Sequence, residues 1–371
     1  MTSHRPLRVV VDGTPLLGQR TGVGRYTAAL LDELAGLAGD GDELSIGVTA
    51  FSLRGRRSLS RRLPAGVRAR GLPVPARLLR ALWRRVPVPP IELLVGRTHV
   101  MHATNFVLPP AVRAAGVVTV HDLAFLERPD ELSPAEHALP DLVRDAARRA
   151  AVVCTPTTAV ARQVVRLLGV RDDRIVVTPL GVDPAWFVAA PPSADARHRL
   201  RLPAQYLLFV GTAQPRKGLD VLLDAHAAAK HAPPLVLAGA AGWGQEAPTG
   251  DPKRVLRTGY LPEVDLRRVV AGAAALVLPS RDEGFGLPVL EALACGIPVI
   301  TTDAPALVEV AGGHAEHVPV GDVDALAHAL STVGDAARDA STAAARRAHA
   351  SEFTWRACAE STVDAYRLAV S

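Results

Sequence analysis

Apolar residues along this chain fall into two alternating patterns. Short runs of Val, Ile and Leu alternate with longer stretches in which apolar residues recur every three or four positions. The first run, Leu7–Asp12 (LRVVVD), reads as a strand. Tyr26, Leu30, Leu34 and Leu37 then recur at helical spacing, which predicts an amphipathic helix over Arg25–Ala38. Leu44–Phe51, Val117–His121, Ala151–Thr155 and Ile175–Thr178 read as further strands, with helical patterns between them. Residues Pro179–Gln205 hold five prolines and no long periodic run, which reads as an interdomain linker. The alternation restarts with strands at Tyr206–Gly211, Leu235–Ala240, Val255–Gly259, Ala275–Pro279 and Pro298–Thr302. Short apolar strands separated by helices predict parallel sheets covered on both faces, and two such series predict two Rossmann-like halves. The tail Thr354–Val370 reads as a separate helix with Trp355, Cys358, Val363, Tyr366 and Leu368 available for packing, either on the second half or back on the first.

A length of 371 residues agrees with two domains. Apolar residues are 49% and aromatic ones only 4%, so the core must be built from Ala, Val and Leu, and this balance excludes a disordered chain. No stretch approaches the ~18 uninterrupted apolar residues of a membrane span. The start, MTSHRPLRVVVDG, reads as a short tail entering a strand, without the apolar core and cleavage site of a signal peptide. Cys154, Cys295 and Cys358 fit neither a disulfide framework nor a zinc site, so the expected home is a reducing cytoplasm. Only three of the 42 basic residues are lysines (Lys217, Lys230 and Lys253), and Leu44–Ile91 holds eleven arginines with no Asp or Glu. There Leu78, Leu79, Leu82, Trp83 and Val86 form one side of a helical pattern, with Arg77, Arg80 and Arg84 on another. The basic amphipathic segment 54–85 suits an anionic membrane surface, and equally a solvated basic face set by base composition.

In open parallel sheets, ligands bind beyond the carboxyl ends of the strands, and the chemically notable residues recur there. Thr21-Gly22-Val23-Gly24-Arg25 opens a helix. Gly22 and Gly24 would let backbone N–H groups approach a phosphate, although the loop also reads as a plain tight turn without the full dinucleotide-binding spacing. Arg216-Lys217 stands just before a helix whose first N–H groups also favour an anion, a combination suited to a diphosphate. In Glu283-Gly-Phe-Gly-Leu-Pro-Val-Leu-Glu291, Pro288 marks the first helical turn. Glu283 therefore lies in a loop and Glu291 one turn into the helix, with Gly284 and Gly286 allowing close backbone approach. Glu291 also reads as a complement to the helix dipole. His121-Asp122 at a strand end places an imidazole beside the loops, or serves a structural role. His99 and His102 do not form a metal pair, since a strand sends i and i+3 to opposite faces. Asp322-Val323-Asp324 resembles the DxD of metal-dependent sugar transferases, but Asp322 reads more simply as an N-cap, so no catalytic metal or cofactor is expected.

These motifs, taken together, resemble the family-four retaining glycosyltransferases with the GT-B fold, most closely a mannosyltransferase-like branch. The carriers are TGVGRYTAALL (Thr21–Leu31), HATN (His102–Asn105), HDLAFLERPD (His121–Asp130), PLGVD (Pro179–Asp183), LFVGTAQPRKG (Leu208–Gly218), LAGAAGWG (Leu237–Gly244), TGYLPEVDL (Thr258–Leu266) and EGFGLPVLEALACGIPVI (Glu283–Ile300). The resemblance implies an α/β fold of two Rossmann-like domains whose parallel sheets face a central cleft. Residues 1–183, with helix 354–371 crossing back, would bind the acceptor, and residues 184–353 the nucleotide sugar. It implies that Arg216 and Lys217 hold the donor diphosphate and that Glu291 bonds the ribose. Glu283 and the Gly284-Phe285-Gly286 backbone would lie near the sugar, and His121 beside the transferred sugar. Gly22 and Gly24 would sit above the diphosphate, Tyr260 and Leu261 along the base, and Asn105 and Asp122 on the acceptor side. Two departures stand out. Thr212 replaces an Arg carried by some relatives, and Thr157-Thr158 replaces a Ser-Glu pair, although Thr157 still suits a cap.

The implied reaction is transfer of a hexose, best read as mannose from GDP-mannose, to a lipid-linked or polysaccharide acceptor hydroxyl with retention of configuration. It would occur in the cytoplasm or at the inner face of the cell membrane. A UDP-, dTDP- or ADP-sugar donor, or a nucleotide-sugar epimerase or hydrolase, is the alternative. A polyanion or nucleic-acid binder would leave the RKG and E-x7-E loops unexplained, and no aromatic series for base stacking interleaves the arginines.

Overall fold

The structure, a computed structural model, describes residues 6–17, 22–39, 43–52, 55–72, 74, 79, 82–83, 86–132, 136–240, 251, 253–333 and 339–371. The chain divides into two compact units. Met1–Leu126, His137–Gly181 and Trp355–Ser371 make the first; Glu127–Glu136 and Val182–Thr354 make the second. The divisions thus fall at 181/182 and 354/355, near the expected 183/184 and 353/354, and Glu127–Glu136 goes with the second unit.

In the first unit the described strands are β1 (Leu7–Asp12), β2 (Leu44–Thr49), β3 (Arg68–Ala69), β4 (Val100–Ala103), β5 (Ala115–Thr119), β6 (Val152–Thr155) and β7 (Ile175–Val177). They form one parallel sheet in the order β3-β2-β1-β4-β5-β6-β7. Its central strands are apolar on both faces: Val9, Val10, Val11, Val100, Met101, Val117, Val118, Val152 and Val153 are all buried. Each such side chain contributes about 1.5–3 kcal/mol by leaving water. The helix Gly22–Gly39 buries Tyr26, Leu30, Leu31 and Leu34 and begins three residues before the apolar period suggests. The C-terminal helix Trp355–Val370 belongs to this unit and packs on Gly22–Gly39 and on β4–β7 through Cys358, Ala359, Thr362, Val363 and Tyr366. Leu368, expected to pack, is exposed.

In the second unit the described strands are β8 (Leu207–Val210), β9 (Leu235–Ala238), β10 (Val255–Gly259), β11 (Ala275–Leu278), β12 (Val299–Thr302) and β13 (Glu316–Val318). Their order is β10-β9-β8-β11-β12-β13, again all parallel. The expected linker Pro179–Gln205 contains the division at 181/182 and, beyond it, regular structure that was not expected. It carries a helical turn at Pro184–Trp186 and a helix at Ala194–Leu200 capped by Ser193. Trp186 is fully buried, with its carbonyl accepting from the Cys295 thiol (3.3 Å). Prolines broke the periodicity here without loosening the chain. No helix among the described residues is long and apolar enough to cross a membrane.

Candidate active site

A ligand-binding crevice in an open parallel sheet lies where neighbouring strands lead away in opposite directions. In the second unit that point is between β8 and β11, and the loops leaving these two strands carry the RKG and Glu283 motifs. Pro215–Lys217 forms one turn of 3₁₀ helix, and Gly218 caps the helix Leu219–Ala228 that follows. Gly218 has φ +63°, and a Cβ there would lie 2.2 Å from the Pro279 carbonyl oxygen, so only glycine lets the two loops meet. The loops are tied by the Arg281 N–H donating to the Arg216 carbonyl (2.8 Å). The Arg281 guanidinium also donates to the Pro215 carbonyl (3.2 Å) and to Asp220 (2.5 Å).

This fixed turn aims both cations at one carboxylate. Arg216 Nη1 donates to Glu283 Oε2 (3.0 Å) and to the Asp282 carbonyl (3.3 Å), while Lys217 Nζ donates to Glu283 Oε1. Ser280 Oγ donates to the same Oε1 (2.7 Å), and Thr302 Oγ1 holds the Ser280 carbonyl (2.6 Å). Burial alone would raise the Glu283 pKa, but the charges of Lys217 and Arg216 outweigh it and hold the carboxyl at about 2. The group is therefore ionised at neutral pH and is shared by both cations.

Glu291 is buried on the helix Leu287–Ala294, whose N-cap is Gly286 at φ +91°. Neither this helix nor Leu219–Ala228 has a side-chain cap, but in Leu287–Ala294 Pro288 carries no N–H and the Val289 N–H donates to the Gly286 carbonyl (2.9 Å), so the first-turn backbone donors are those of Leu219–Ala228. Gly284 and Phe285 are buried in the connecting loop, and the Phe285 ring meets Phe353 edge-on (6.0 Å). Past β10, Tyr260 is half exposed and Leu261 buried. Asp322 caps the helix Val323–Thr332 through the Ala325 N–H (2.9 Å), as its position suggested.

In the first unit, His121 follows β5, two residues past Thr119. Its Nε2 lies 2.8 Å from the Thr104 carbonyl, which can only accept, so Nε2 carries the proton and Nδ1 keeps the lone pair. Burial lowers the His121 pKa, against the opposing Thr104 hydrogen bond and the Asp122 charge, so the neutral ring is favoured. The Tyr26 ring packs edge-on against it (4.8 Å, 80°). Asp122 is half-buried beside it. Asn105 turns inward to its own loop, its Oδ1 accepting from the Phe106 N–H (3.0 Å). Gly22 is exposed and Gly24 buried in the first turn of their helix; Thr21 and residues 241–244 of LAGAAGWG lie outside the described residues. His102 is no metal partner for His99: its two ring nitrogens meet Tyr366 and Thr119.

Within the basic segment 54–85, Arg54, Arg77, Leu78, Arg80, Arg84 and Arg85 lie outside the described residues. Leu79 is buried, and the Trp83 indole donates to the Pro89 carbonyl (3.0 Å) and packs on Phe51. The apolar side drawn from the periodicity is thus partly turned into the protein, with Leu82 and Val86 exposed. Ser280 and Arg281, which complete the cation turn, were given no role from sequence. Their signal was position: both stand in the strand-end loop that delivers Glu283.

Comparison with known proteins places this geometry. A family model described as "Glycosyl transferase 4-like domain" matches residues 21–181, and one described as "Glycosyl transferases group 1" matches residues 204–335. The chain is 29% identical to the O-antigen chain mannosyltransferase B of Escherichia coli over 98% of this chain and 100% of that one. It is 34% identical to a D-inositol 3-phosphate glycosyltransferase of Kineococcus radiotolerans over 58% of this chain and 56% of that one. The crystal structure of HepE from Anabaena in complex with UDP-glucose shares the fold, with a TM-score of 0.69 over 96% of this chain and 98% of that one, at 18% identity. With a glycosyltransferase family matched over each half and a full-length mannosyltransferase likeness, the chain belongs to the family-four glycosyltransferases of GT-B fold.

Proposed function

We propose that this glycosyltransferase moves mannose from GDP-mannose to an acceptor hydroxyl with retention of the anomeric configuration. The observation that carries the reading is the Arg216–Lys217–Glu283 cluster at the β8/β11 crevice, joined to the full-length likeness to a mannosyltransferase. As the bond to the anomeric carbon stretches, the departing diphosphate gains negative charge. Arg216, Lys217 and the open N-terminus of Leu219–Ala228 stabilise that charge more in the transition state than in the ground state. These fixed positive groups do the work for which other transferases use a metal ion, so transfer proceeds in the presence of a chelator. Glu283 orients sugar hydroxyls, Glu291 bonds the ribose, and the Gly284–Gly286 backbone and Tyr260-Leu261 line the donor. His121 stands by the sugar as a neutral ring, with Asn105 and Asp122 toward the acceptor. A donor phosphate oxygen takes the acceptor's proton on the face from which the diphosphate leaves.

The acceptor is read as a lipid-linked or polysaccharide hydroxyl met at the inner face of the cell membrane, through the arginines of 54–85 and exposed Leu82 and Val86. Co-sedimentation with anionic vesicles at low salt tests this placement, and failure to bind dismisses it.

A UDP-sugar donor is the second reading, favoured by the fold shared with HepE, whose structure holds UDP-glucose. A thermal-shift panel of GDP-, UDP-, dTDP- and ADP-sugars separates the two. Selective stabilisation by GDP-mannose is expected, and selectivity for UDP replaces the mannosyl reading. The anomeric configuration of the product, read by proton NMR, tests retention.

A further inference from the structure

We infer that Tyr26, Thr119, His102 and Tyr366 form a buried hydrogen-bonded relay that positions the His121 imidazole, so that the C-terminal helix sets the geometry of the transfer site; the relay's value for turnover rests on the role proposed for His121. All four side chains are within 1% of full burial. Tyr366 on the C-terminal helix places its hydroxyl 2.7 Å from His102 Nδ1. His102 Nε2 lies 2.8 Å from Thr119 Oγ1, and that hydroxyl lies 3.0 Å from Tyr26 OH. The Tyr26 ring then meets the His121 ring edge-on, and the ring of Trp355, the first residue of the C-terminal helix, lies 6.3 Å from the Tyr26 ring.

The arrangement forms at the end of a strand. Thr119 ends β5 and His121 follows two residues on, and the one tyrosine touches both, its hydroxyl at Thr119 and its ring at His121. Apolar residues would fill this layer more simply, because each polar group buried here needs a partner to offset its lost hydration. Burial holds the His102 ring neutral, with one N–H and one lone pair. In one tautomer of His102 the Tyr366 hydroxyl donates to Nδ1, and in the other Thr119 donates to Nε2 and Tyr26 to Thr119, so each tautomer needs a tyrosine hydroxyl as donor. Removing the Tyr366 hydroxyl removes an end of the relay without changing the shape of the core. The loosened link is His102 to Thr119 to Tyr26, and what it frees is the edge that fixes His121.

Nitrogen-15 NMR of histidine-labelled full-length protein, without substrate, tests the relay directly. In Tyr366→Phe and Tyr26→Phe the His121 ring resonances shift or broaden while the thermal transition stays close to that of the parent. In donor assays, Tyr366→Phe lowers kcat by about three- to tenfold and leaves the donor KM unchanged. In a His121→Ala background, the same change has no further effect on kcat. Unmoved His121 resonances in both tyrosine variants overturn the inference, as does an equal loss of kcat with and without His121. Shifted resonances together with a parental rate in His121→Ala support the relay and overturn instead the role given to His121.

Discussion

Near the carboxyl edge of the first sheet one buried hydrogen-bonded cluster is built of neutral groups: two tyrosine hydroxyls, a threonine and His102, whose pKa burial lowers to about 3, with His121 beyond them. Near the carboxyl edge of the second sheet they are charged: Arg216 and Lys217 around Glu283, held at about 2. Both clusters grow from the same kind of strand-end loop, so topology alone does not explain the difference. A neutral, hydrogen-bonded layer supports recognition of hydroxyls, which carry no net charge. A cluster that sets two cations side by side has the chemistry that the proposed function asks of a diphosphate site. One scaffold built twice thus carries two chemistries, decided by a handful of side chains.

The comparison breaks most sharply at Lys217. Lys217→Ala is expected to lower turnover about 10²–10³-fold, the cost of removing one preorganised charge from a departing anion, with His121 undisturbed. A parental rate in a donor-turnover assay would end the assignment of the second cluster to the diphosphate.

Glu283→Gln separates the two tasks of that cluster. It leaves Arg216 and Lys217 without their shared counter-ion and raises the local charge by one. Nucleoside diphosphate product should bind at least as tightly by calorimetry, while transfer falls by roughly 10–10²-fold because a sugar-orienting carboxylate is lost. Weaker product binding would mean that Glu283 serves mainly to hold the two cations in place.

Ser280→Ala asks how much the buried hydroxyl contributes by holding Glu283 Oε1. Loss of one hydrogen bond to a charged group, about 1.5–3 kcal/mol, predicts a turnover loss of roughly tenfold or more if that bond is needed for the carboxylate's orientation. An unchanged rate would show that Lys217 and Arg216 orient Glu283 by themselves.

Acid stability gives the smallest and most general contrast. For His102 the folded pKa of about 3 lies below the ordinary 6.5. The unfolded chain therefore binds the extra proton between these values, and stability declines as pH falls from about 6.5 toward 3. For Glu283 the folded value of about 2 lies below the ordinary 4.5, so its contribution is present above about 4.5 and is lost only as pH falls through that lower window. Melting temperatures measured from pH 8 to 4 should begin to fall below about pH 6.5 in the parent, and less so in His102→Gln. Parallel curves would remove His102 as a source of acid sensitivity.

Most strands were legible because a buried parallel strand needs a short, uninterrupted β-branched run, and the observed limits differ from the expected ones only by terminal residues. β4 was not in the expected series although it is buried and central, since its four residues VMHA hold a histidine and only one β-branched residue, and β3 and β13 escaped because they are two- and three-residue edge strands with exposed positions and no apolar run. The proline-rich 179–205 does hold the division between the units, but its regular structure was hidden for the opposite reason. Proline interrupts helical periodicity, yet Trp186 there is fully buried, and a single aromatic anchor leaves no periodic trace. At the candidate site, Arg216-Lys217 and the Glu283–Glu291 spacing stood out because the chemistry sits in contiguous motifs. Tyr26, Thr119 and Tyr366 did not, because each reads as ordinary helix or strand packing until its partners are known.

The alternation of strands and helices, the two-part division and the residue types at the strand ends are all written in the local order of the chain, since periodicity and loop motifs span only a few residues. That Glu283 answers to both Arg216 and Lys217, 67 and 66 positions away, belongs to the folded molecule. So does the meeting of His102 with Tyr366 across 264 positions. Contacts at such separations depend on which strands lie side by side, in what register, and on where the last helix docks. Many side chains together settle those choices, and no short stretch of residues carries them.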